Sequence, residues 1–426
     1  MDSTSDLSDG LNLQTVAERI YELLDDWQPR PAVEQITDLC NVLYASSLLK
    51  EEGRPVRARI VIAPPEAFDE SSGPPDGVHV VRFSVMHRLT SNEIKSLSPA
   101  ADFFHSIIGI WPDRDRGFRI WGIVNTGPRW LNQVAGGRKP VGERICHPTI
   151  HVRDPGWLLF FHEHDLIAEW RGQGFRGPRI DVFRSPLLRQ RFERNRLAFV
   201  ENLIDCCLPV SLNAEAYADL AHLISLQFVK RIVSLVRTSG HGGSLVFLPE
   251  NPEGLESALE WIDCKYSAAP EEPSTRFRSL LEFMIRRVGE LCKDGATVED
   301  AWALFKNSSD TELDRLEEAF FELAQMFADM MQVDGALVLD KSMRLIGFGG
   351  EIRVDRNVIG VGHARDLEGS DVVSWNVLND GTRHRSVYRL CSVEPEIIGF
   401  VVSQDSHVRM IANVDESVIF WQHTMI

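Results

Sequence analysis

The stretch Asp380-Gly381-Thr382-Arg383-His384-Arg385 sets a turn pair, a hydroxyl and three cationic or titratable side chains in direct succession. Asp-Gly predicts a tight reversal, because glycine tolerates the positive φ such a turn needs. A turn opening directly onto Thr, Arg, His and Arg concentrates hydrogen-bond donors. The planar fork of an arginine matches phosphate oxygens better than a point charge does. Arg-His-Arg triplets also occur on ordinary solvated surfaces, so the triplet alone decides little. A second stretch adds weight: Val333-Asp334-Gly335-Ala336-Leu337-Val338-Leu339-Asp340 is an Asp-Gly turn running into a β-type apolar run. Asp334, at the mouth of that strand, offers the carboxylate a divalent cation requires, and phosphate chemistry commonly uses one.

Taken in order, Asp334-Gly335-Ala336 and Gly381-Thr382-Arg383-His384-Arg385 resemble the paired signatures of the diadenylate cyclase domain. The apolar run Ile397-Ile398-Gly399-Phe400-Val401-Val402-Ser403 follows as in that family, and the resemblance extends from about Asn213 to the last residue. It implies an enzyme that condenses two ATP molecules into cyclic di-AMP and releases pyrophosphate, each 3′-hydroxyl attacking the α-phosphorus of the other ATP. The two half-sites would face each other across a homodimer. The resemblance assigns Asp334 and Asp405 to Mn²⁺ or Mg²⁺, and Asp334, Arg383, His384 and Arg385 to catalysis. It gives Gly335, Ala336, Gly381, Thr382 and Ser403 to nucleotide binding. Arg383, Arg385 and Thr382 would hold phosphates and offset charge in the transition state. His384 would contact phosphate or orient its neighbours.

The chain departs from the family at three places. Ser403-Gln404-Asp405 stands where Ser-Glu-Glu is usual, Val333 stands where His is common, and the helical insertion at about 270–332 is larger. If the second acidic position ligates the metal, Asp405 supplies a shorter carboxylate. If the first does, Gln404 removes the charge. A cyclase fold that binds ATP or a cyclic dinucleotide as a sensor, without turnover, is therefore the alternative. An unrelated α+β scaffold would show no nucleotide affinity at all.

These residues must be positioned by a chain of 426 residues, long enough for two or three domains at roughly 150 residues each. Its 45 Lys and Arg against 62 Asp and Glu leave a net charge of −17, which disfavours nucleic acid as a partner. Seven scattered cysteines without a CxxC pair suggest free thiols in a reducing cytosol. Met1-Asp2-Ser3-Thr4-Ser5-Asp6 lacks a signal-peptide pattern, and no apolar run approaches the roughly 18 residues of a membrane span. A cytoplasmic protein without a membrane partner is expected.

The Pro209 break at Leu208-Pro209-Val210 sets expected domains of 1–209 and 210–426. In the first, helices over 11–27 and 32–49 precede a β-rich region from Arg54. Strands follow at 78–84, 119–124, 149–152, 158–161 and 166–170, with a closing helix near 185–204. This is an α+β pattern, mostly antiparallel. Over about residues 10–205 it resembles, more weakly, the sensor-type modules found ahead of cyclase domains in bacteria, which implies a ligand that the sequence does not identify. Cys146, His147, His151, His162 and His164 are zinc-ligand types at no zinc spacing, and His162-Glu163-His164 also reads as a strand end. Gly136-Gly137-Arg138-Lys139 lacks the spacing of a P-loop and reads as a surface loop.

The second domain opens with a helix from Asn213 to Gly240 and a glycine turn into the strand Ser244–Leu248. Two or three helices lead to Asp334, the last with a Ser309–Glu312 capping box and the stripe Leu313, Leu316, Phe320, Leu323, Phe327 and Met330. Strands are expected at 337–340, 344–349, around 358–362, 397–403 and 408–414, with a helix from His384. The expected fold class is a mixed β-sheet flanked by helices, α/β, behind the α+β domain.

Overall fold

The structure, a computed structural model, describes residues 12–24, 29–68, 78–103, 105–113, 117–125, 137–138, 147–162, 165–172, 174–176, 181–204, 208–269, 274–403 and 407–423. The chain forms two compact units, Met1–Leu131 with Pro140–Pro178, and Asn132–Lys139 with Arg179–Ile426. Among the described residues no helix is long and apolar enough to cross a membrane.

In the first unit, Asn12 caps α1 (Leu13–Glu22) by accepting from the Thr15 amide, and α2 (Val33–Ser47) follows. A short ribbon, β1 (Lys50–Glu51) with β2 (Arg54–Pro55), precedes the main sheet. That sheet contains β3 (Ala58–Ile62) and β4 (His79–Arg88), then, after α3 (Ser91–Leu97), β5 (Ser106–Asp113) and β6 (Gly117–Asn125). β7 (Thr149–Asp154), β8 (Trp157–His162), β9 (Asp165–Arg171) and β10 (Gly174–Arg176) complete it. The strand order is β10-β9-β8-β7-β3-β5-β6-β4, antiparallel apart from the β3–β5 pair. The expected strands are present with longer bounds, and β5 is additional. Its Gly and Pro look like loop punctuation, yet Gly109 is a packing residue: a Cβ there would stand 2.1 Å from the Trp121 indole. That indole is core, and its Nε1 donates to the Ala63 carbonyl at 2.8 Å.

One face of this sheet buries Ile60, Ile150, Leu158 and Phe160 with Ile36, Leu39 and Leu43 of α2. The opposite face carries a cross-strand row, Arg59, His151, Leu159 and Glu169, at most 3% exposed. Burial, then Arg59 and Arg153, holds His151 well below the usual histidine range, so it is neutral. Its ring packs on Phe161 and Phe103.

The second unit starts with α4 (Pro186–Arg191) and α5 (Glu193–Ile204), whose Leu188, Phe192 and Val200 share a core with Leu220 and Ile224. The units therefore divide at Pro178/Arg179, ahead of the helix that the Pro209 break had assigned to the first domain. The reason is amphipathic packing: α5 lies against α6 (Ala214–Ser239), and Pro209 merely separates the two. Asn213 caps α6 and Gly240, at φ 73°, ends it, as expected.

Next come β11 (Gly243–Leu248), α7 (Pro252–Leu259), β12 (Ile262–Ser267), α8 (Ser274–Leu291), α9 (Val298–Asn307) and α10 (Thr311–Met331). The cap of α10 is Asp310, one residue later than the expected box, because Arg287 grips the same carboxylate at 2.7 Å and anchors it there. β13 (Ala336–Asp340), β14 (Leu345–Ile352), β15 (Gly360–Ala364), β16 (Val372–Asn376), α11 (Thr382–Val393), β17 (Ile398–Val402), β18 (Val408–Val414) and β19 (Ser417–His423) complete the unit. The order β12-β14-β13-β11-β17-β18-β19-β15-β16 is a mixed sheet with parallel pairs β11–β13 and β15–β19. Alternation along β11 sends Leu245 and Phe247 to the α6, α8 and α10 side, and Val246 and Leu248 to the α7 and α11 side. The predicted stripe on α10 is core: Phe320 and Phe327 surround Phe228 of α6, with centroids 4.8 and 5.7 Å away.

Gly137-Arg138 is not a surface loop. Arg138 is 1% exposed, its Nε donates to the Phe305 carbonyl at 2.6 Å, and Nη1 pairs with Asp314 at 2.8 Å. The carbonyls left open at the end of α9 suit a buried guanidinium fork.

Candidate functional site

Strand register decides which predicted residues meet. Ser244 pairs with Ala336 across β11–β13, and Gly243 pairs with Val402 across β11–β17. Asp334-Gly335, entering β13, and Ser403, leaving β17, therefore lie at the same end of the sheet. Helix α11 returns to that end at its N-terminus. Its Val387 packs on Gly399, where a Cβ would stand 2.3 Å from Val387 Cγ1. Just ahead of the helix, Asp380 meets Arg409, which is opposite Val401 in the sheet, at 2.7 Å. The two motifs, separated in sequence, are thus assembled by β11, β13, β17 and α11.

The Asp334 turn is built for close backbone approach. Gly335 has φ 114°, and a Cβ there would lie 2.4 Å from the Gly349 carbonyl carbon and 2.7 Å from the Gly350 nitrogen. Asp334 itself is exposed, and its carboxylate enters no hydrogen bond or ion pair among the described residues. Ser403 closes the hairpin after β17, donating its amide to the His407 carbonyl at 2.8 Å and accepting the His407 amide on Oγ at 3.1 Å. Gln404 and Asp405 lie outside the described residues.

Helix α11 begins at Thr382, two residues before the expected start, with Gly381 as N-cap. Gly381 brings no capping side chain, so the first amides stand open at the positive end of the helix dipole. The shift sends the three basic side chains to different faces. Arg383 and Arg385 are half-buried and, like the exposed Thr382 hydroxyl, form no hydrogen bond or ion pair among the described residues. His384 instead turns inward, 7% exposed, beside Tyr388, and its Nε2 has no hydrogen-bond partner among the described residues. Burial, with Arg409 and Arg383 against Asp380, pushes its pKa down to about 4. It is neutral at physiological pH and does not join the donor cluster.

Asp380 was legible in sequence only as a turn former. In the fold it is a buried junction: its carboxylate accepts from Trp375 Nε1 at 2.9 Å and Tyr388 OH at 3.0 Å and pairs with Arg409. Arg409 also donates to Tyr388 OH at 2.8 Å and lies 4.2 Å over the Phe420 ring. This network holds the Gly381 turn, and with it the arginine pair, against β18. The local sign of it is Arg409 in the mostly apolar strand Val408–Val414.

In the first unit, His147 and His162 lie near enough for His162 to lower the His147 pKa, after burial, but His151 does not complete a ligand set with them. His151 is fully packed, and His162 ends β8 opposite Asp165. No group of three or more His, Cys, Asp or Glu suited to a metal exists among the described residues; Cys146 and His164 lie outside them.

The family described as a probable sensor domain, DACNV, matches residues 25–125, from just before α2 to the end of β6. No curated protein and no solved structure matches the chain. The match supports an N-terminal sensor domain, within the sensor-like region read in the sequence.

Proposed function

We propose that the chain is a sensor-regulated diadenylate cyclase, condensing two ATP into cyclic di-AMP and pyrophosphate. The observation that carries this reading is the uncommitted donor set Thr382, Arg383 and Arg385 at the open end of α11, on the sheet end that bears the free Asp334 carboxylate. The sensor match adds support, because sensor domains of this family typically accompany diadenylate cyclases.

In this reading each 3′-hydroxyl oxygen forms a bond to the α-phosphorus of the other ATP. The bond to pyrophosphate breaks, and the hydroxyl proton leaves to solvent. A divalent cation, Mn²⁺ or Mg²⁺, would offset triphosphate charge and lower the hydroxyl pKa. Such an ion needs only one or two protein carboxylates when substrate phosphates complete its shell, and the exposed, unpaired Asp334 fits, with Asp405 as the expected second. Arg383 and Arg385 hold phosphate oxygens and offset charge in the transition state, and Gly335, Ala336, Gly381 and Ser403 border the nucleotide. His384, neutral and buried, positions the first turn of α11. One chain supplies one half-site, so turnover requires a second copy facing it.

The test is a product assay on the full chain with ATP and Mn²⁺ or Mg²⁺, read by mass spectrometry. Cyclic di-AMP should form and fall by about a hundredfold or more in Asp334→Asn, with ATP binding partly retained. Undiminished product in that variant would remove Asp334 from the chemistry. Saturable binding of ATP or cyclic dinucleotide without product would move the reading to a non-catalytic sensor, which Gln404 in the sequence favours.

A further inference from the structure

A cavity of about 210 Å³ opens at the other end of the same sheet, beyond the last residues of the parallel strands β11 and β13. The carboxyl ends of parallel strands are where open α/β sheets commonly receive ligands. It is larger than the roughly 150 Å³ that accommodates a benzene ring. Phe192 at the α4–α5 junction, Phe199 of α5, and Phe277 and Leu281 of α8 supply an apolar wall, and Met343 closes it from the β13–β14 turn.

Its polar groups are unusual in being incompletely used. His222, in the wall, is 7% exposed and enters no hydrogen bond among the described residues. Lys341 and Arg196 are buried but committed, to Glu396 and Asp219 respectively. Arg278 and Glu250 are both exposed, both line the cavity and make no ion pair with each other. Among the described residues Glu250 accepts a hydrogen bond from the Asn195 amide and feels the charges of Arg278 and Arg344. Arg278 and Glu250, near enough to attract each other but in no ion pair among the described residues, thus set a cation and a carboxylate beside an aromatic chamber.

We propose that this cavity binds a small zwitterion with an apolar body, in the manner of a free apolar α-amino acid. The ligand carboxylate meets Arg278 and His222, its ammonium meets Glu250, and its side chain fills the phenylalanine wall. A dianion is disfavoured because Lys341 and Arg196 are already paired. Burial, then Arg196 and Arg189, pushes His222 down to about 4, so at neutral pH it meets the carboxylate as a neutral N–H donor. The site lies at the end of the sheet away from Asp334, and the inference does not rest on the nucleotide reading.

The probe is L-phenylalanine, titrated into the full chain by calorimetry beside hydrocinnamate, which lacks the ammonium, and phenethylamine, which lacks the carboxylate. L-phenylalanine should bind saturably at one site per chain, with each analogue weaker by about tenfold. Glu250→Gln should weaken L-phenylalanine by a similar factor and leave hydrocinnamate unweakened. Ala198→Trp, an exposed position at the cavity, should abolish binding while the circular dichroism stays native. Hydrocinnamate binding as tightly as L-phenylalanine overturns the zwitterion assignment. Unaltered binding in a folded Ala198→Trp, or no saturable L-phenylalanine binding, overturns the site.

Discussion

Arg383 and His384 are neighbours in sequence with opposite fates. The guanidinium of Arg383 lies half-open at the helix start with its donors unspent, whereas the His384 imidazole is sealed against Tyr388. Only the first can meet a phosphate without rearrangement. Charge-assisted hydrogen bonds contribute about 1.5–3 kcal/mol. Arg383→Ala should therefore weaken ATP binding by roughly tenfold to a hundredfold in a calorimetric titration. Equal affinity in the variant would show that Arg383 touches no phosphate. Asp380 belongs to the same scale, since its carboxylate is consumed by Trp375, Tyr388 and Arg409 and is closed to a metal.

At the scale of elements, the Asp334 turn and β14 are locked by glycines. The φ of 114° at Gly335 is closed to L side chains, and the obstructing atoms are Gly349 and Gly350 backbone rather than a movable side chain. Strain and overpacking each cost about 1–3 kcal/mol. Gly335→Ala should lower the unfolding free energy by roughly 2–4 kcal/mol, measured by urea denaturation, and displace Asp334 from the strand mouth. A midpoint equal to that of the parent chain would mean that the turn relaxes freely. The same tightness recurs where α11 rides on Gly399, so the arginine pair and the Asp334 turn are referenced to one rigid sheet.

The whole molecule should respond to acid through its buried histidines. His222 and His384 are pushed to about 4 from an ordinary 6.5, so the folded state refuses protons that the unfolded chain accepts. Stability is fully present above pH 6.5 and declines as pH falls toward 4, by at most about 3 kcal/mol per histidine. Urea midpoints should drop between pH 7 and pH 4.5, and His384→Gln should flatten that slope. A flat profile in the parent chain, or an unchanged slope in the variant, would contradict the burial argument. Asp310 acts in a lower window. Arg287 holds it near 2, so its contribution is lost only as pH falls below about 4.

The order of the elements, the caps at Asn213 and Gly240, the α10 stripe and the Asp334-Gly335 turn are encoded by local chemistry and were legible in the sequence, whereas Gly381, at φ −70°, is a helix N-cap and not the positive-φ turn that Asp380-Gly381 predicted. Local rules failed where a remote partner decides. Arg138 resembles loop residues until its fork finds Phe305, and α5 resembles part of the first domain until its apolar face finds α6. Asp380 is a turn residue until Arg409 arrives from another strand. The motif sequence placed two arginines and a histidine together, but helix phase, set by Gly381 as cap, left the arginines open and buried the histidine. The cavity behind β11 and β13 had no linear signature, because its walls come from α5, α6, α8 and the β13–β14 turn. Residue types and short spacings thus set the available chemistry; strand register and helix packing alone determined which of those groups share a site.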